Sequence, residues 1–303
     1  MIALDEIQKV FRGRIALNEA LAPYTWMKVG GPADCYLEPA DRKDLVDVIA
    51  VLTAQGMPYL MLGRGSNMLV SDEGFRGAVI NLESGLTTVR RENGDVVADA
   101  GVRLTKFVDF CVQQGLAGVE MLAGIPGTVG GAVVMNAGAH GGEIADHCVE
   151  VEVLRNGAPV GVPRSACGFR YRHSAFEGDV VLGARFRLPV GDPEALVQRR
   201  KELIQKRNAT QPLDLPNLGS MFKNPPNQFA ARLIEEAGLK GKRVGAAQVS
   251  EKHANFMVNL GGATADDVMR LIELVQRTVY QHAGVPLELE VKLIGFRRTE
   301  AAT

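Results

Sequence analysis

Two glycine-centred segments, and three places that put polar residues in apolar company, are where this sequence could do chemistry. From Ala123 to Glu143 it reads Ala-Gly-Ile-Pro-Gly-Thr-Val-Gly-Gly-Ala-Val-Val-Met-Asn-Ala-Gly-Ala-His-Gly-Gly-Glu, without a Lys or Arg. Glycine lets a backbone turn sharply and approach a ligand closely. Successive N–H groups exposed by such turns form a concave anion site that needs no cationic side chain. The segment is either a diphosphate cradle or a buried loop where elements cross tightly, and glycine content alone does not choose. Gly63-Arg64-Gly65-Ser66-Asn67 follows the apolar run Tyr59–Leu62, an order that also presents amides to phosphate. It is no dinucleotide fingerprint, because the third glycine position is Met68, and no Gly-Lys-Ser or Gly-Lys-Thr occurs. Taken alone it reads as a tight turn.

The polar residues each have an ordinary explanation. Arg170 and Arg172 flank Tyr171 at strand spacing, so both point to one face, as in a surface salt-bridge strand. Ser220 sits in a Gly-Ser turn beside Phe222. Glu288 and Glu290 share a face of a final strand, opposite Leu287, Leu289 and Val291, and solvent exposure accounts for Glu288.

The elements that must position these groups alternate along the chain. Residues 1–22 read as a helical lead-in, Tyr24 to Asp34 as an extended run closed by Gly30-Gly31-Pro32, and Cys35–Pro39 as a strand. Asp41 caps a helix whose inner face is Leu45, Val48, Ile49 and Leu52, with Gly56 as the stop. Ala78–Leu82, Val96–Ala100, Val149–Leu154 and Val180–Leu188 read as strands, with an Asn156-Gly157 hairpin turn. Leu104, Phe107, Val108 and Cys111 form a helical stripe. Beyond a break at Pro189–Pro193 come a charged helix over 194–208, a helix from about Pro226 to Ala237 and a strand at Phe256–Leu260. Then follow a helix capped by Thr264 and Asp267 and an alternating strand over Leu287–Ile294. The expected division is lobes over 1–75 and 76–193 and a third, α+β, over 194–303.

Composition bounds the function. A chain of 303 residues is long for one core, which favours two or more lobes. Hydrophobic content of 46% and charged content of 23% are those of a globular protein. A net charge of −1 offers no basic stripe for nucleic acid, and no apolar run has the length of a membrane span. Cys35, Cys111, Cys148 and Cys167 lie far apart, so neither zinc site nor disulfide framework is expected. The N-terminus lacks the pattern of a signal peptide, and buried thiols point to the cytoplasm.

Read together and in order, the motifs resemble one family. They are Thr25-Trp26-x-x-Gly-Gly-Pro-Ala, Gly63-x-Gly-Ser-Asn-x-Leu, Gly124-Ile-Pro-Gly-Thr-Val-Gly-Gly-Ala-x-x-x-Asn-Ala-Gly-Ala, Tyr171-Arg172-x-Ser, Gly219-Ser220-x-Phe-Lys-Asn-Pro and Leu287-Glu-x-Glu-Val. This series, from about residue 21 to 296, resembles UDP-N-acetylenolpyruvoylglucosamine reductases, the MurB family, in their shorter type II form. The resemblance implies an α+β chain with a two-lobe FAD-binding fold of the PCMH/VAO type and a C-terminal α+β domain for a UDP-sugar. It implies noncovalent FAD held by Gly63, Arg64, Gly65, Ser66, Asn67, Gly124, Pro126, Gly127, Thr128, Gly130, Gly131, Ala132 and Asn136, which makes His140 incidental. It also implies NADPH-dependent reduction of UDP-N-acetylglucosamine enolpyruvate by a monomer, with Arg172 and Glu290 stabilising charge at the substrate and Ser220 donating a proton. Tyr171, Lys223 and Asn224 are the implied substrate contacts, with Lys206 and Arg207 as further phosphate candidates that a solvated surface also explains. Glu290, facing a substrate carboxylate, is expected to work protonated or cation-paired. A flavin oxidase of the same superfamily and a non-catalytic UDP-sugar-binding protein are the alternatives.

Overall fold

A computed structural model describes residues 4–296, and the chain divides into two compact units. The first takes the chain up to Ala16, then Cys35–Arg64 and Gly77–Arg207; the second takes Leu17–Asp34, Gly65–Arg76 and the chain from Asn208 onward. Residues 194–207, expected in the substrate lobe, therefore cluster with the first unit.

In the first unit the helix Arg42–Ala54 buries Leu45, Val48, Ile49 and Leu52 as its spacing predicts. The Asp41 carboxylate accepts the Asp44 N–H at 2.9 Å. Asp44 does more than favour the helix dipole. Its fully buried carboxylate accepts the N–H groups of Arg12 at 2.9 Å, Gly13 at 3.0 Å and Ala40 at 2.8 Å, tying the incoming chain to the helix. Tyr59–Leu62 then pairs in parallel with the strand Phe75–Asn81, from Tyr59 opposite Ala78 to Leu62 opposite Asn81. That register carries the chain directly to Gly63.

A five-stranded antiparallel sheet, in the order Ala158–Pro163, Cys148–Arg155, Val180–Phe186, Asp95–Asp99 and Val89–Glu92, forms the rest. Asn156 (φ 51°) and Gly157 (φ 75°) make the two-residue turn that the sequence announced. Val151 and Val153 point into the core, where Phe107 of the helix Leu104–Gln113 meets Phe186 at 4.6 Å between ring centroids. Burial of such side chains contributes roughly 1.5–3 kcal/mol each.

The second unit is a four-stranded antiparallel sheet ordered Asn217–Ser220, Phe256–Asn259, Ala247–Val249, Arg243–Val244. The helix Ala265–Ala283 buries Val268, Leu271, Ile272, Val275 and Val279 completely, and the Thr264–Asp267 capping box is formed. Asp72 supplies a second cap, accepting the N–H of Ala265 at 2.9 Å and of Asp266 at 3.0 Å.

Four local expectations are corrected. The lead-in is helical only over Leu4–Val10 among the described residues, and Arg14–Ala20 is a strand in the sheet with Pro32–Glu38. Cross-strand pairing there overrides helix propensity. The run after Tyr24 is a turn rather than a strand, closed by Thr25 Oγ1 donating to Val29 O at 2.8 Å, with Lys28 at φ 59°. The helix expected from Pro226 begins at Ala230, where Asn224 Oδ1 accepts the N–H at 3.0 Å. The final strand is Lys292–Ile294, parallel to Met68–Val70; residues 288–290 lie outside it, with Leu289 in an isolated bridge to Phe222.

Candidate functional site

Within the first unit, Gly63 at the start of one glycine segment lies against Thr128 of the other. A Cβ at Gly63 would stand 2.6 Å from Thr128 Oγ1, so only glycine permits this approach. Among the described residues no main-chain carbonyl takes the N–H of Gly63, Gly127 or Thr128. The helix Val129–Met135 that follows has its first amides committed: Val129 N–H to Val102 O and Gly130 N–H to Ala100 O, both 2.8 Å, and Gly131 N–H to Thr128 Oγ1 at 3.4 Å. Ala132 N–H goes to Thr128 O at 2.9 Å. Any contact that Gly130, Gly131 or Ala132 makes with a ligand is therefore not through the N–H. The donors left are those of the turns before the helix. Main-chain N–H groups left over at Gly63, Gly127 and Thr128 are donors of the kind that suit a flavin diphosphate. Arg64 pairs with Glu83 at 3.2 Å, and Glu83 also pairs with Arg103 at 2.9 Å.

Asn136 ends that helix in the left-handed conformation (φ 43°) and is fully buried. Its Nδ2 donates to Glu143 Oε2 at 2.7 Å and to Arg170 O at 2.9 Å, and its Oδ1 accepts Ala145 N–H at 3.3 Å. Its side chain thus bonds to protein, and it shapes the loop instead of reaching outward.

Arg170 and Arg172 do not lie on a strand. Arg170 and His173 exchange N–H···O bonds at 3.0 Å across a two-residue turn, with Arg172 at φ 52°. A non-glycine residue held there is strained and needs surroundings that fix it. Three contacts fix this turn. Asn136 holds Arg170 O, Ser174 Oγ donates to Val134 O at 2.8 Å, and Arg172 Nη2 donates to Gly138 O at 2.9 Å. The Arg172 guanidinium also lies 5.0 Å from the centroid of the Tyr171 ring, whose residue is 46% exposed.

Ser220, Lys223, Asn224 and Glu290 belong to the second unit, as do Gly65, Ser66 and Asn67. Glu290 N–H donates to Met221 O at 2.9 Å and Lys223 N–H to Glu288 O at 2.8 Å, which sets Glu290 beside the residue that follows Ser220. Asn67 Nδ2 donates to Glu290 O at 3.1 Å and Asn67 O accepts Lys292 N–H at 2.9 Å, so this turn grips the Glu290 backbone. Glu288 is ion-paired with Lys223 although its side chain is 73% exposed. The structure thus places Arg172 in one unit and Ser220 and Glu290 in the other.

Sequence reasoning missed two features. Arg207 is not solvated surface. It is 8% exposed, its Cδ would lie 2.9 Å from a Cβ on Gly124, and burial pulls its pKa down to about 10. His140, at φ 54°, is also held below its ordinary value, by burial and then by Lys206, Arg207 and Arg199. A buried residue at i, i+3 or i+4 from Leu203 on a charged helix was the available signal. The second is Asn255, whose side chain bonds to both the N–H and the carbonyl of Phe222. Burial pushes the thiols of Cys111 and Cys148 up to about 12 and that of Cys167 to about 11, so they are unreactive.

Comparison with known proteins agrees with this layout. A family model described as "FAD binding domain" matches residues 33–158, and one described as "UDP-N-acetylenolpyruvoylglucosamine reductase, C-terminal domain" matches 211–294. The UDP-N-acetylenolpyruvoylglucosamine reductase of Chloroherpeton thalassium is 47% identical, covering 98% of this chain and 98% of its own. That of Geobacter metallireducens is 45% identical over 94% of this chain and 95% of its own. The crystal structure of the Thermus caldophilus enzyme superposes with a TM-score of 0.81 at 40% identity, covering 93% of this chain and 99% of that one. The fold is accordingly the α+β FAD-binding PCMH type with an additional C-terminal domain. On near full-length identity of 40–47% to reductases of this name, the chain belongs to the UDP-N-acetylenolpyruvoylglucosamine reductase family.

Proposed function

We propose that this protein reduces the enolpyruvyl double bond of UDP-N-acetylglucosamine enolpyruvate to UDP-N-acetylmuramate at the expense of NADPH, in peptidoglycan precursor synthesis. The observation that carries this reading is near full-length identity of 47% to a reductase of that name. FAD, when bound, supplies the two-electron carrier between NADPH and the substrate. Gly63, Gly127 and Thr128 would hold its diphosphate with main-chain N–H groups, with Arg64, Gly65, Ser66, Asn67, Gly124 and Pro126 as further contacts.

The remaining chemistry belongs to side chains. Hydride addition to the β carbon of the enol ether leaves negative charge on the neighbouring carbon and its carboxylate. A fixed cation there lowers the barrier, and we assign it to Arg172, whose turn and Gly138 contact keep it from relaxing away. Ser220 donates the proton to the carbanionic carbon. Its hydroxyl is a weak acid, but such a carbon is a strong base, so the transfer runs downhill. Glu290 completes the polarising network. Tyr171, Lys223 and Asn224 contact the UDP-sugar, Asn224 while also capping the helix Ala230–Glu236.

The lobes expected at 1–75, 76–193 and 194–303 describe a division of labour, and the two compact units describe a division of packing. We assign the protein to the cytoplasm, in keeping with its four buried free thiols, and take it to act as a monomer. An anaerobic absorbance experiment tests the function. Flavin bands should bleach with NADPH and return with UDP-N-acetylglucosamine enolpyruvate; recovery with oxygen alone would overturn the reading.

A further inference from the structure

We propose that Asn255 is a positioning residue that holds the segment Ser220–Lys223 in its working geometry; the inference rests on the reading of Ser220 as proton donor. The strand Asn217–Ser220 pairs with Phe256–Asn259, with Ser220 opposite Phe256, and its register shifts between Asn217 and Ser220. One residue further on, Met221 N–H donates to Asn255 O at 2.8 Å. There the main-chain ladder stops. Its next rung is made by a side chain: Asn255 Oδ1 accepts Phe222 N–H at 3.0 Å and Asn255 Nδ2 donates to Phe222 O at 2.8 Å. A carboxamide carries one acceptor and one donor in a plane, and so imitates the peptide group that a continuing strand would have offered.

The opposite edge of the same segment is held by main chain, through Glu290 N–H to Met221 O and Lys223 N–H to Glu288 O. Ser220 is thus fixed by a segment clamped on both sides, and Asn255 is the only side chain among the described residues bonded to both polar groups of Phe222. Phe222 is 1% exposed and Asn255 4%, so water cannot take over either bond. Other residue types fail for stated reasons. Gln is a methylene too long, Ser reaches only one group, and Asp presents two acceptors, one of them against the Phe222 carbonyl.

Asn255→Asp is therefore the informative variant. As a carboxylate it repels Phe222 O, whereas as a carboxylic acid it has both a donor and an acceptor and restores the rung. Burial raises the pKa of such a group well above its ordinary value of about 3.9. The experiment is anaerobic stopped-flow of the FAD-loaded enzyme from pH 5.5 to 8.5, following flavin reduction by NADPH and reoxidation by UDP-N-acetylglucosamine enolpyruvate separately. We expect reoxidation of Asn255→Asp to be about 10–100-fold slow at high pH, the scale of a small misplacement of a reacting group. It should recover on acidification, while reduction by NADPH stays near wild type. Reoxidation with the wild-type rate and pH profile would overturn the proposal, as would an equal loss in both half-reactions at every pH. Hydrogen exchange of the wild-type enzyme keeps the proposal testable if the variant does not fold: the Phe222 amide should be strongly protected, and fast exchange would count against it. Ser220→Ala separates the two readings. Wild-type reoxidation in that variant would remove the role of Ser220 and leave the pH-restored defect at Asn255 standing.

Discussion

Arg172 donates from Nη2 to the carbonyl oxygen of Gly138 at 2.9 Å, which ties the cation of the proposed reaction to the glycine segment of its own unit. The bond fixes one end of the side chain, and the left-handed turn fixes the other. A charge so placed needs little reorganisation when negative charge develops on a substrate, which is where electrostatic catalysis gains most.

Arg172→Gln should lower the rate of flavin reoxidation by enolpyruvyl substrate about 10²–10³-fold, roughly 3–4 kcal/mol of barrier. Reduction by NADPH should change far less. Single-turnover measurements of the two half-reactions check this, and equal losses would point to a general defect.

Glu290→Gln tests the state in which Glu290 works. A carboxylate facing a substrate carboxylate is unfavourable unless protonated or paired with a cation. The pH–rate profile of the reoxidation half-reaction should lose one limb in this variant; an unchanged profile would remove Glu290 from the titrating network.

Gly63→Ala should weaken FAD binding at least about tenfold, or roughly 1.4 kcal/mol. The new Cβ would sit 2.6 Å from Thr128 Oγ1, forcing apart the two segments whose amides we assign to the flavin diphosphate. Titration of apoprotein with FAD, followed by flavin fluorescence, measures it directly.

Asn136→Ala should cost about 2–4 kcal/mol of stability, because it strands the buried Ala145 N–H, removes one of the two hydrogen bonds to Arg170 O and leaves alanine in a left-handed conformation. Denaturant unfolding gives the change. Reduced reoxidation in the folded fraction would show that Arg170 passes the disturbance on to Arg172.

Acid should destabilise the fold through His253. Burial holds its imidazole below the ordinary value, Lys240 adds to that and Glu235 opposes it. Its neutral Nδ1 accepts the Asn255 N–H at 3.3 Å, a bond that protonation removes. Above about pH 6.5 folded and unfolded chains are both neutral at this site. Below that value the unfolded chain takes the proton first, so stability falls until the lower folded pKa is passed. The drop in melting temperature between pH 7 and 5 should be smaller in His253→Gln than in wild type.

Much of this protein was legible from its residues, and the reasons are local. Thr264 and Asp267 are three apart and cap their own helix, Leu45, Val48, Ile49 and Leu52 share a face by helical period, and Asn156-Gly157 closes a hairpin without help from elsewhere. The glycine segments, read in order with the Ser220 and Glu290 motifs, were enough for the family. Contacts between distant residues were not legible. Strand spacing at Arg170–Arg172 suggested a strand, but Asn136, remote in sequence, holds Arg170 O and the chain turns instead. Alternation over Leu287–Ile294 is real, yet only Lys292–Ile294 finds a strand to pair with, because hydrogen-bond partners decide a strand and alternation does not. Arg207 was open to both a phosphate contact and a solvated surface and proves to be buried against Gly124, while nothing in the sequence singled out Asn255, whose side chain meets both polar groups of Phe222. Sequence by itself determined which residues share a helix face, which turns close and which family's motifs recur. The tertiary structure alone decided which amides are used up, which cation is buried and which side chain substitutes for a strand, since each depends on groups brought together from far along the chain.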